Sequence, residues 1–140
     1  MKILVPVDGS KSALNAVKYA AKLSANLRST DTVTLITVHD DQGLRHAKQF
    51  VGKAEVDDYL RELSDKELKT SLAVLKKAAI RYTTIIQTGH VAAVIASTAN
   101  KGFDMVIMGT KGRSALADLL IGSVAQRVVA ACKKPVVLVK

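Results

Sequence analysis

The 140-residue sequence is poor in the residues that hold several common kinds of protein together. It contains one cysteine, no tryptophan and two prolines, and aromatic residues make up only 4% of it. A single cysteine excludes a disulfide framework within the chain and any zinc site that needs several thiolates. No apolar run approaches the roughly 20 residues that a membrane-spanning helix requires. The N-terminal MKILVPVDGS lacks the features of a signal peptide, so we expect a cytoplasmic globular protein without membrane insertion.

The apolar content is nevertheless high and has to come from small aliphatic side chains. Hydrophobic residues form 49% of the sequence, which is too much for a disordered chain. With few aromatic rings, the core must be filled by valine, isoleucine, leucine and alanine. A chain of 140 residues has the size of one domain, so we predict a single domain over residues 1–140.

Positive charge is in excess, but it is unevenly distributed along the chain. The sequence has 21 lysines and arginines against 12 acidic residues, for a net charge of +9, and residues 109–140 contain six basic residues and one acidic residue. This balance favours an anionic partner. The chain has no cluster rich in lysine and arginine and no aromatics interleaved with basic residues, so we expect no nucleic-acid partner.

Continuous β-branched apolar runs alternate with segments of helical periodicity. The runs predict five strands, over residues 2–7, 32–39, 83–88, 104–108 and 135–139. Apolar residues at helical spacing predict four helices, over residues 13–27 (with Ser10 as the N-cap), 57–82, 91–101 and 123–132. Residues 40–56 are polar and show no firm period, so the sequence predicts no element there.

This alternation predicts an α/β protein with a doubly wound, five-stranded parallel sheet and helices on both faces. The strand order that fits is 3-2-1-4-5. Strands buried on both faces should be continuously apolar, as LVPV, VIM and VVLV are. In such sheets, ligands bind beyond the carboxyl ends of the strands at the point where the winding reverses. That point lies between strands 1 and 4, which are followed by residues 8–10 and 109–112.

The segment after strand 4 has the composition of a phosphate-binding loop. Three of the eight glycines of the chain lie within it, and the last of them opens a helix. Glycine allows the backbone to turn its amide groups toward an anion, and a helix N-terminus adds further amides and a favourable dipole. The residues that could contribute to phosphate binding are Gly109, Lys111, Gly112, Arg113, Gly122 and Ser123.

Three stretches of the chain resemble the universal stress protein family: MKILVPVDGS, FDMVIMGTKGRSALADLLIGSVAQRVV and CKKPVVLVK. The resemblance covers nearly the whole chain and is least clear over residues 40–56. The spacing Gly109-x2-Gly112-x9-Gly122-Ser123 is similar to the signature of the ATP-binding branch. The resemblance implies the fold of adenine nucleotide α-hydrolases and ATP as the cofactor, with Mg²⁺ or Mn²⁺ accompanying the nucleotide.

The same resemblance implies roles at the phosphate end of a nucleotide. Asp8 would contact the ribose or a phosphate-bound metal ion, and its place at the switch point favours this role over the alternative of a negative charge stabilised by the dipole of the first helix. Lys111, where many relatives carry histidine or another polar residue, would add to the attraction of phosphate. The residues expected around the ribose and phosphates are Gly109, Gly112, Arg113, Gly122 and Ser123.

At the base end, the resemblance implies contacts from the first two strands. Val38, near the end of strand 2, would bond adenine through its backbone, with Pro6 and Val7 packing nearby. The expected binding set also includes Met108, directly before the first glycine of the loop, and Val124, two residues after the last one. Members of the family tend to dimerise through the last strand, whose apolar edge would otherwise lie open. Here that strand comprises Val136, Val137, Leu138 and Val139.

The sequence gives little sign of catalysis. Hydrolysis of ATP needs a group that positions or activates water, and Asp118 is the only carboxylate in the segment from 109 to 140. We therefore expect a nucleotide-dependent regulatory or stress-response protein that hydrolyses ATP slowly or not at all, read by a protein partner that the sequence does not identify. Two alternatives stay open: a nucleotide-free dimeric interaction module, and a weak ATPase of the related nucleotide-hydrolysing group.

The remaining residues with reactive side chains are expected to have no functional role. Three histidines, at positions 39, 46 and 90, show no metal-ligand spacing. They are predicted to be ordinary surface or loop residues, with His39 at most on the rim of the pocket. Cys132 follows the apolar line of the last helix and is predicted to be a small buried hydrophobe.

Overall fold

A computed structural model describes residues 1–27, 32–113, 118 and 120–140 of the chain. Strands and helices alternate through most of this part. The strands are β1 (Lys2–Pro6), β2 (Thr32–Asp40), β3 (Tyr82–Gly89), β4 (Met105–Gly109) and β5 (Val136–Val139). The helices are α1 (Lys11–Asn26), α2 (Asp41–Val51), α3 (Lys53–Lys77), α4 (Val91–Gly102) and α5 (Ser123–Ala131).

The five strands form one parallel sheet in the order β3-β2-β1-β4-β5, which confirms the predicted topology. β1 lies at the centre, where Ile3 is in register with Val33 of β2 on one side and with Met105 of β4 on the other. The carboxyl ends of all five parallel strands lie at one edge of the sheet. Because the winding reverses between β1 and β4, the helices that follow these two strands, α1 and α5, pack on opposite faces, which leaves a crevice between the two loops.

Two apolar layers cover the sheet, one on each face. Alternate residues of β1 point to opposite layers: Ile3 and Val5 join α1 and α3, whereas Leu4 joins α4 and α5. The buried residues of both layers are aliphatic or alanine apart from Met108, as the scarcity of aromatic residues predicts. The fully buried large side chains of the described residues are led by Ile3, Leu4, Leu35, Ile36, Leu75 and Ile107.

The expected count of four helices was wrong, because α2 forms within the segment that shows no firm period. None of the residues of α2 is buried, so no apolar stripe is needed to hold it against the core. Local interactions support it instead. The Asp40 carboxylate accepts a hydrogen bond from the amide of Gln42 at 3.0 Å, and Arg45 pairs with Asp41 one turn earlier in the helix. Gly52, with a φ of +87°, then separates α2 from α3.

The long helix is shifted relative to its prediction over residues 57–82. α3 begins directly after Gly52 and ends at Lys77, two residues before Ala79 adopts a positive φ of 53°. Tyr82 is already paired with Val33 in the sheet. Within the described residues, none of the helices is long and apolar enough to cross a bilayer.

Candidate functional site

A cleft of about 260 Å³ opens at the carboxyl ends of β1, β2 and β4, where the sequence predicts the site. This volume is close to the lower end of the range for small-molecule sites, about 300 to 1,000 Å³. The cleft is bounded by the turn after β1, the loop after β4 and the first turns of α4 and α5. Its lining residues are Pro6, Val7, Asp8, Ala13, Ile36, Val38, Val91, Ile95, Met108, Gly109, Thr110, Lys111, Gly112, Gly122, Ser123, Val124 and Ala125.

One wall of the cleft is apolar. Ile36 and Val38 project from β2 on the face covered by α4, which contributes Val91 and Ile95 from its first and second turns. Met108 of β4 belongs to the same apolar layer. A flat apolar ligand group would replace contact with water by contact with these side chains.

The opposite end of the cleft is polar and centres on Asp8. One carboxylate oxygen of Asp8 accepts a hydrogen bond from the amide of Ser10 at 2.9 Å, and the other accepts one from the amide of Arg113 at 3.2 Å. The Ser10 hydroxyl in turn accepts from the amide of Ala13 and caps α1, as predicted. Asp8 thus joins the start of α1 to the loop after β4, and its contact with ribose or a phosphate-bound cation stays a prediction.

The loop after β4 is held close to α1 and α5. The amide of Lys111 donates to the Ser12 hydroxyl at 3.3 Å, and the amide of Gly122 donates to the carbonyl of Thr110 at 2.6 Å. Gly122 is the N-cap of α5 and carries no side chain to satisfy the first amides of that helix. An anion at this point would meet unsatisfied amide groups and the positive end of the helix dipole. Residues 114–117 and 119 of the predicted loop lie outside the described residues.

Arg113 is the one predicted binding residue that does not line the cleft. Its backbone amide lies at the polar end, but its guanidinium turns toward α3 and donates to the Glu67 carboxylate at 2.9 Å. Sequence reasoning missed Glu67, whose side chain is only 5% exposed. Burial raises the pKa of Glu67, while Arg113 acts to lower it and Asp8 acts to raise it.

His39 is not a surface residue, which corrects the prediction. It is buried beneath α3, where its Nε2 lies 2.7 Å from the Ser64 hydroxyl, and it is not among the residues that line the cleft. The Ser64 hydroxyl also donates to the carbonyl of Leu60. Burial lowers the pKa of His39, and the positive charge of Arg113 lowers it further.

The lowered pKa of the buried His39 predicts how the stability of the protein depends on pH. An unfolded histidine takes up a proton below a pH of about 6.5, whereas the folded one resists it, so stability is lost as the pH falls through this range. We expect the thermal midpoint to fall by about 2–5 °C between pH of about 7 and about 5.5. The fall should be clearly smaller in His39→Gln and should persist in His46→Gln, a control at an exposed position on α2. Equal pH profiles for all three proteins, followed by circular dichroism, would contradict this account.

The described residues contain no group of three or more histidine, cysteine or acidic side chains that could hold a metal ion. Cys132 is half-buried at the end of α5, less buried than predicted, with its thiol 3.7 Å from the side-chain oxygen of Asn100. Asp8 is the only carboxylate in the described lining of the cleft. Each of its oxygens keeps a second lone pair, so Asp8 fits a cation that arrives bound to phosphates.

Sequence reasoning missed several apolar lining residues, although signals for them exist. Ile36 lies two residues before Val38 and so faces the same side of β2. Val91 and Ile95 are four residues apart at the start of a helix that follows an adjacent strand. Three further lining residues were also missed. Thr110 and Ala125 are adjacent in the chain to residues that were predicted, and Ala13 is a small residue of α1.

The fold and the cleft define a doubly wound α/β protein with a ligand site at its switch point. The family model described as the universal stress protein family matches residues 1–140. The chain therefore belongs to the universal stress protein family.

Two relatives from Methanocaldococcus jannaschii agree with this assignment. Universal stress protein MJ0531 is 32% identical over 146 residues, covering 99% of this chain and 81% of the relative. Universal stress protein MJ0577 is 30% identical over 154 residues, covering 99% of this chain and 94% of the relative.

Solved structures share the fold. The structure of MJ0577 was solved for a structure-based assignment of its biochemical function. It superposes on this chain with a TM-score of 0.84 at 28% identity, and the match covers 99% of this chain and 94% of MJ0577. The universal stress protein of Archaeoglobus fulgidus, solved in complex with dAMP, gives a TM-score of 0.69 at 21% identity over 100% of this chain and 98% of that one. At that identity, the second comparison shows the fold alone.

Proposed function

We propose that this protein binds an adenine nucleotide, with ATP as the expected ligand, and acts as a nucleotide-dependent regulatory protein. The observation that carries the proposal is the pairing, within one cleft, of an apolar wall with a glycine loop and an uncapped helix N-terminus. An apolar pocket alone would fit many ligands, and a helix N-terminus alone would fit any anion. Together they match a ligand that is flat and apolar at one end and strongly anionic at the other.

The base would lie against the apolar wall and the phosphates at the glycine loop. Ile36, Val38, Val91 and Ile95 would contact the adenine ring, and Asp8 would face the ribose or a phosphate-bound cation. Gly112, Gly122 and Ser123 would surround the phosphates. An adenine nucleotide, dAMP, is the ligand with which another member of the family, the universal stress protein of Archaeoglobus fulgidus, was solved.

Slow or absent hydrolysis follows from the acid–base groups at the polar end. Asp8 is the only carboxylate in the described lining, and both of its oxygens already accept backbone amide hydrogen bonds. The nearby Glu67 is paired with Arg113. In the proposal the remaining lone pairs of Asp8 face the ribose or a phosphate-bound cation, which leaves no carboxylate of the described lining to activate water. We therefore expect turnover far below the range of about 1–100 s⁻¹ that is typical of kinases.

Nucleotide binding is expected to change a surface of the protein that a partner protein recognises. The loop 109–122 and residues 40–56 are the segments that we expect nucleotide to alter. A homodimer through β5 is also part of the proposal: β5 is an outer strand of the sheet, and each of its four apolar residues is half-buried. The cytoplasmic location stays a prediction from the sequence.

Native mass spectrometry of the protein as purified tests the proposal. We expect a mass of two chains with bound adenine nucleotide at near one per chain, because a purine nucleotide held at both ends should survive purification. Acid extraction followed by anion exchange identifies the nucleotide and shows whether ATP or AMP is preferred. Incubation with Mg²⁺ and ATP then measures hydrolysis.

Each outcome separates the proposal from its alternatives. A dimer that carries no nucleotide, and that binds neither ATP nor AMP in calorimetric titration, would leave the interaction module as the better explanation. Hydrolysis at a rate typical of dedicated enzymes would favour the nucleotide-hydrolase alternative.

A further inference from the structure

The inner face of α3 is polar where it approaches the site. Ser64, Glu67 and Ser71 lie on one side of the helix, and all three are buried. Thr37 and His39 of β2 lie among the buried polar residues as well. A helix that served only to cover the sheet would place aliphatic side chains here, because burying polar groups costs free energy unless they find partners. The partner of Glu67 is Arg113, a residue of the glycine loop.

The ion pair between Glu67 and Arg113 lies against the backbone of Gly9. A Cβ atom at Gly9 would lie 3.3 Å from the Glu67 Cγ and 3.4 Å from the Arg113 Nη2. Gly9 also has a φ of +81°, which other residues rarely adopt. The turn after β1 is therefore shaped so that both side chains fit against its backbone.

Arg113 is consequently fixed at two points. Its amide donates to Asp8 in the turn after β1, and its guanidinium donates to Glu67 of α3. Gly112, the preceding residue, lines the cleft, and a Cβ there would lie 3.1 Å from the Asp8 carboxylate. The position of the cleft backbone at residues 112 and 113 thus depends on contacts made outside the cleft.

We infer that Glu67 is a positioning residue for the phosphate-binding loop and acts through Arg113. The inference rests on the proposed function, since it assigns Glu67 to the same site. In this arrangement Arg113 is an anchor rather than a phosphate ligand. The backbone amides of the loop are held in place by the ion pair, and they meet the phosphates.

The charges around the pair fit an anchor. Arg113 is half-exposed, whereas Glu67 is almost fully buried, so departure of the guanidinium would leave a carboxylate without its counter-charge. Asp8 lies near enough to act unfavourably on the same carboxylate. A phosphate that drew Arg113 into the cleft would have to overcome both effects, which favours retention of the ion pair when ligand binds.

Glu67→Gln tests the inference, with Glu62→Gln on the exposed face of α3 as the matched control. We expect Glu67→Gln to weaken ATP binding by about tenfold, as when one contact of a shared network is removed. The affinity for adenosine, which has no phosphate, should stay within about twofold, because the apolar wall is untouched. Arg113→Met should have the same effect, and the double variant should be no worse than either single one. Glu62→Gln should leave both affinities unchanged.

Hydrogen exchange at the amide of Arg113, which donates to Asp8, supplies a readout that needs no nucleotide. We expect faster exchange at this amide in Glu67→Gln and no change in Glu62→Gln. A protein that binds no nucleotide but shows this faster exchange would refute the proposed function and leave the positioning role intact. Unchanged exchange, an equal loss of ATP and adenosine binding, or tighter ATP binding in Glu67→Gln would each overturn the inference. Tighter binding would mean that Arg113 is itself a phosphate ligand.

Discussion

Gly109→Ala is expected to destabilise the protein by about 3 kcal/mol or more, because the added methyl group would overlap the backbone of α1. A Cβ at Gly109 would lie 2.6 Å from the carbonyl carbon of Ser12 and 2.8 Å from its oxygen. These are backbone atoms of a helix packed on the sheet, so they cannot move aside as the tip of a side chain can. The thermal midpoint should fall by roughly 10 °C, measured by calorimetry.

Gly102→Ala is the control for this substitution. Gly102 lies in α4, and a Cβ there would meet no atom within 4 Å. The change should be neutral or stabilise by up to about 1 kcal/mol, since alanine favours a helix more than glycine does. A Gly109→Ala protein as stable as the Gly102→Ala protein would show that α1 does not approach β4 as closely as described.

Gly122→Leu is expected to weaken nucleotide binding by about a hundredfold or more, which corresponds to about 2.7 kcal/mol. Gly122 lines the cleft at the first turn of α5, and a Cβ there would lie 3.3 Å from the Thr110 oxygen and 3.5 Å from the Lys111 Cα. The small Cβ can be accommodated by shifts of a few tenths of an ångström, but the rest of a leucine side chain would occupy the space expected for phosphate. Isothermal titration with ATP measures the loss.

Ala130→Leu introduces the same side chain on the exposed side of α5 and should bind nucleotide as the unmodified protein does. Thermal midpoints of the two variants distinguish a blocked site from a damaged fold. If Gly122→Leu retained its nucleotide, the phosphates would have to lie elsewhere than at the start of α5.

The sheet could be predicted because each strand is marked locally in the sequence, and the alternation of strands with helices then favours one strand order. Each central strand is buried on both faces and is therefore a continuous apolar run, such as the VIM of β4. The location of the cleft followed from the same reasoning, because Asp8 and the first glycines of the loop come at the ends of such runs, whereas much of its apolar lining did not.

The contact between Glu67 and Arg113 could not be predicted in this way. In the sequence, Glu67 lies in a stretch of mixed charge that has the pattern of a solvated helix face. Only the rotation of α3 and the turn at Gly9 bring it under the loop, and no local pattern encodes either. His39 was misplaced for a similar reason, since its burial depends on Ser64, 25 residues away.

The helix α2 escaped prediction for the opposite reason. Periodicity identifies helices that bury one face, and this helix buries no residue. Its start depends on a single side-chain cap at Asp40, and its end on the conformation of Gly52. Signals of this kind are too short to separate from ordinary polar turns.

The central position of β1 in the sheet means that unfolding separates the early part of the chain from the late part. The hydrogen bond between Arg113 and Asp8 joins residues 105 positions apart, and β1 and β4 pair across a similar distance. Closing such a long segment is the slow part of forming a parallel sheet. A ligand that contacts both ends is retained only while the early and late parts of the chain stay together. Occupancy of the cleft would therefore stabilise the folded molecule against separation of these two parts of the chain.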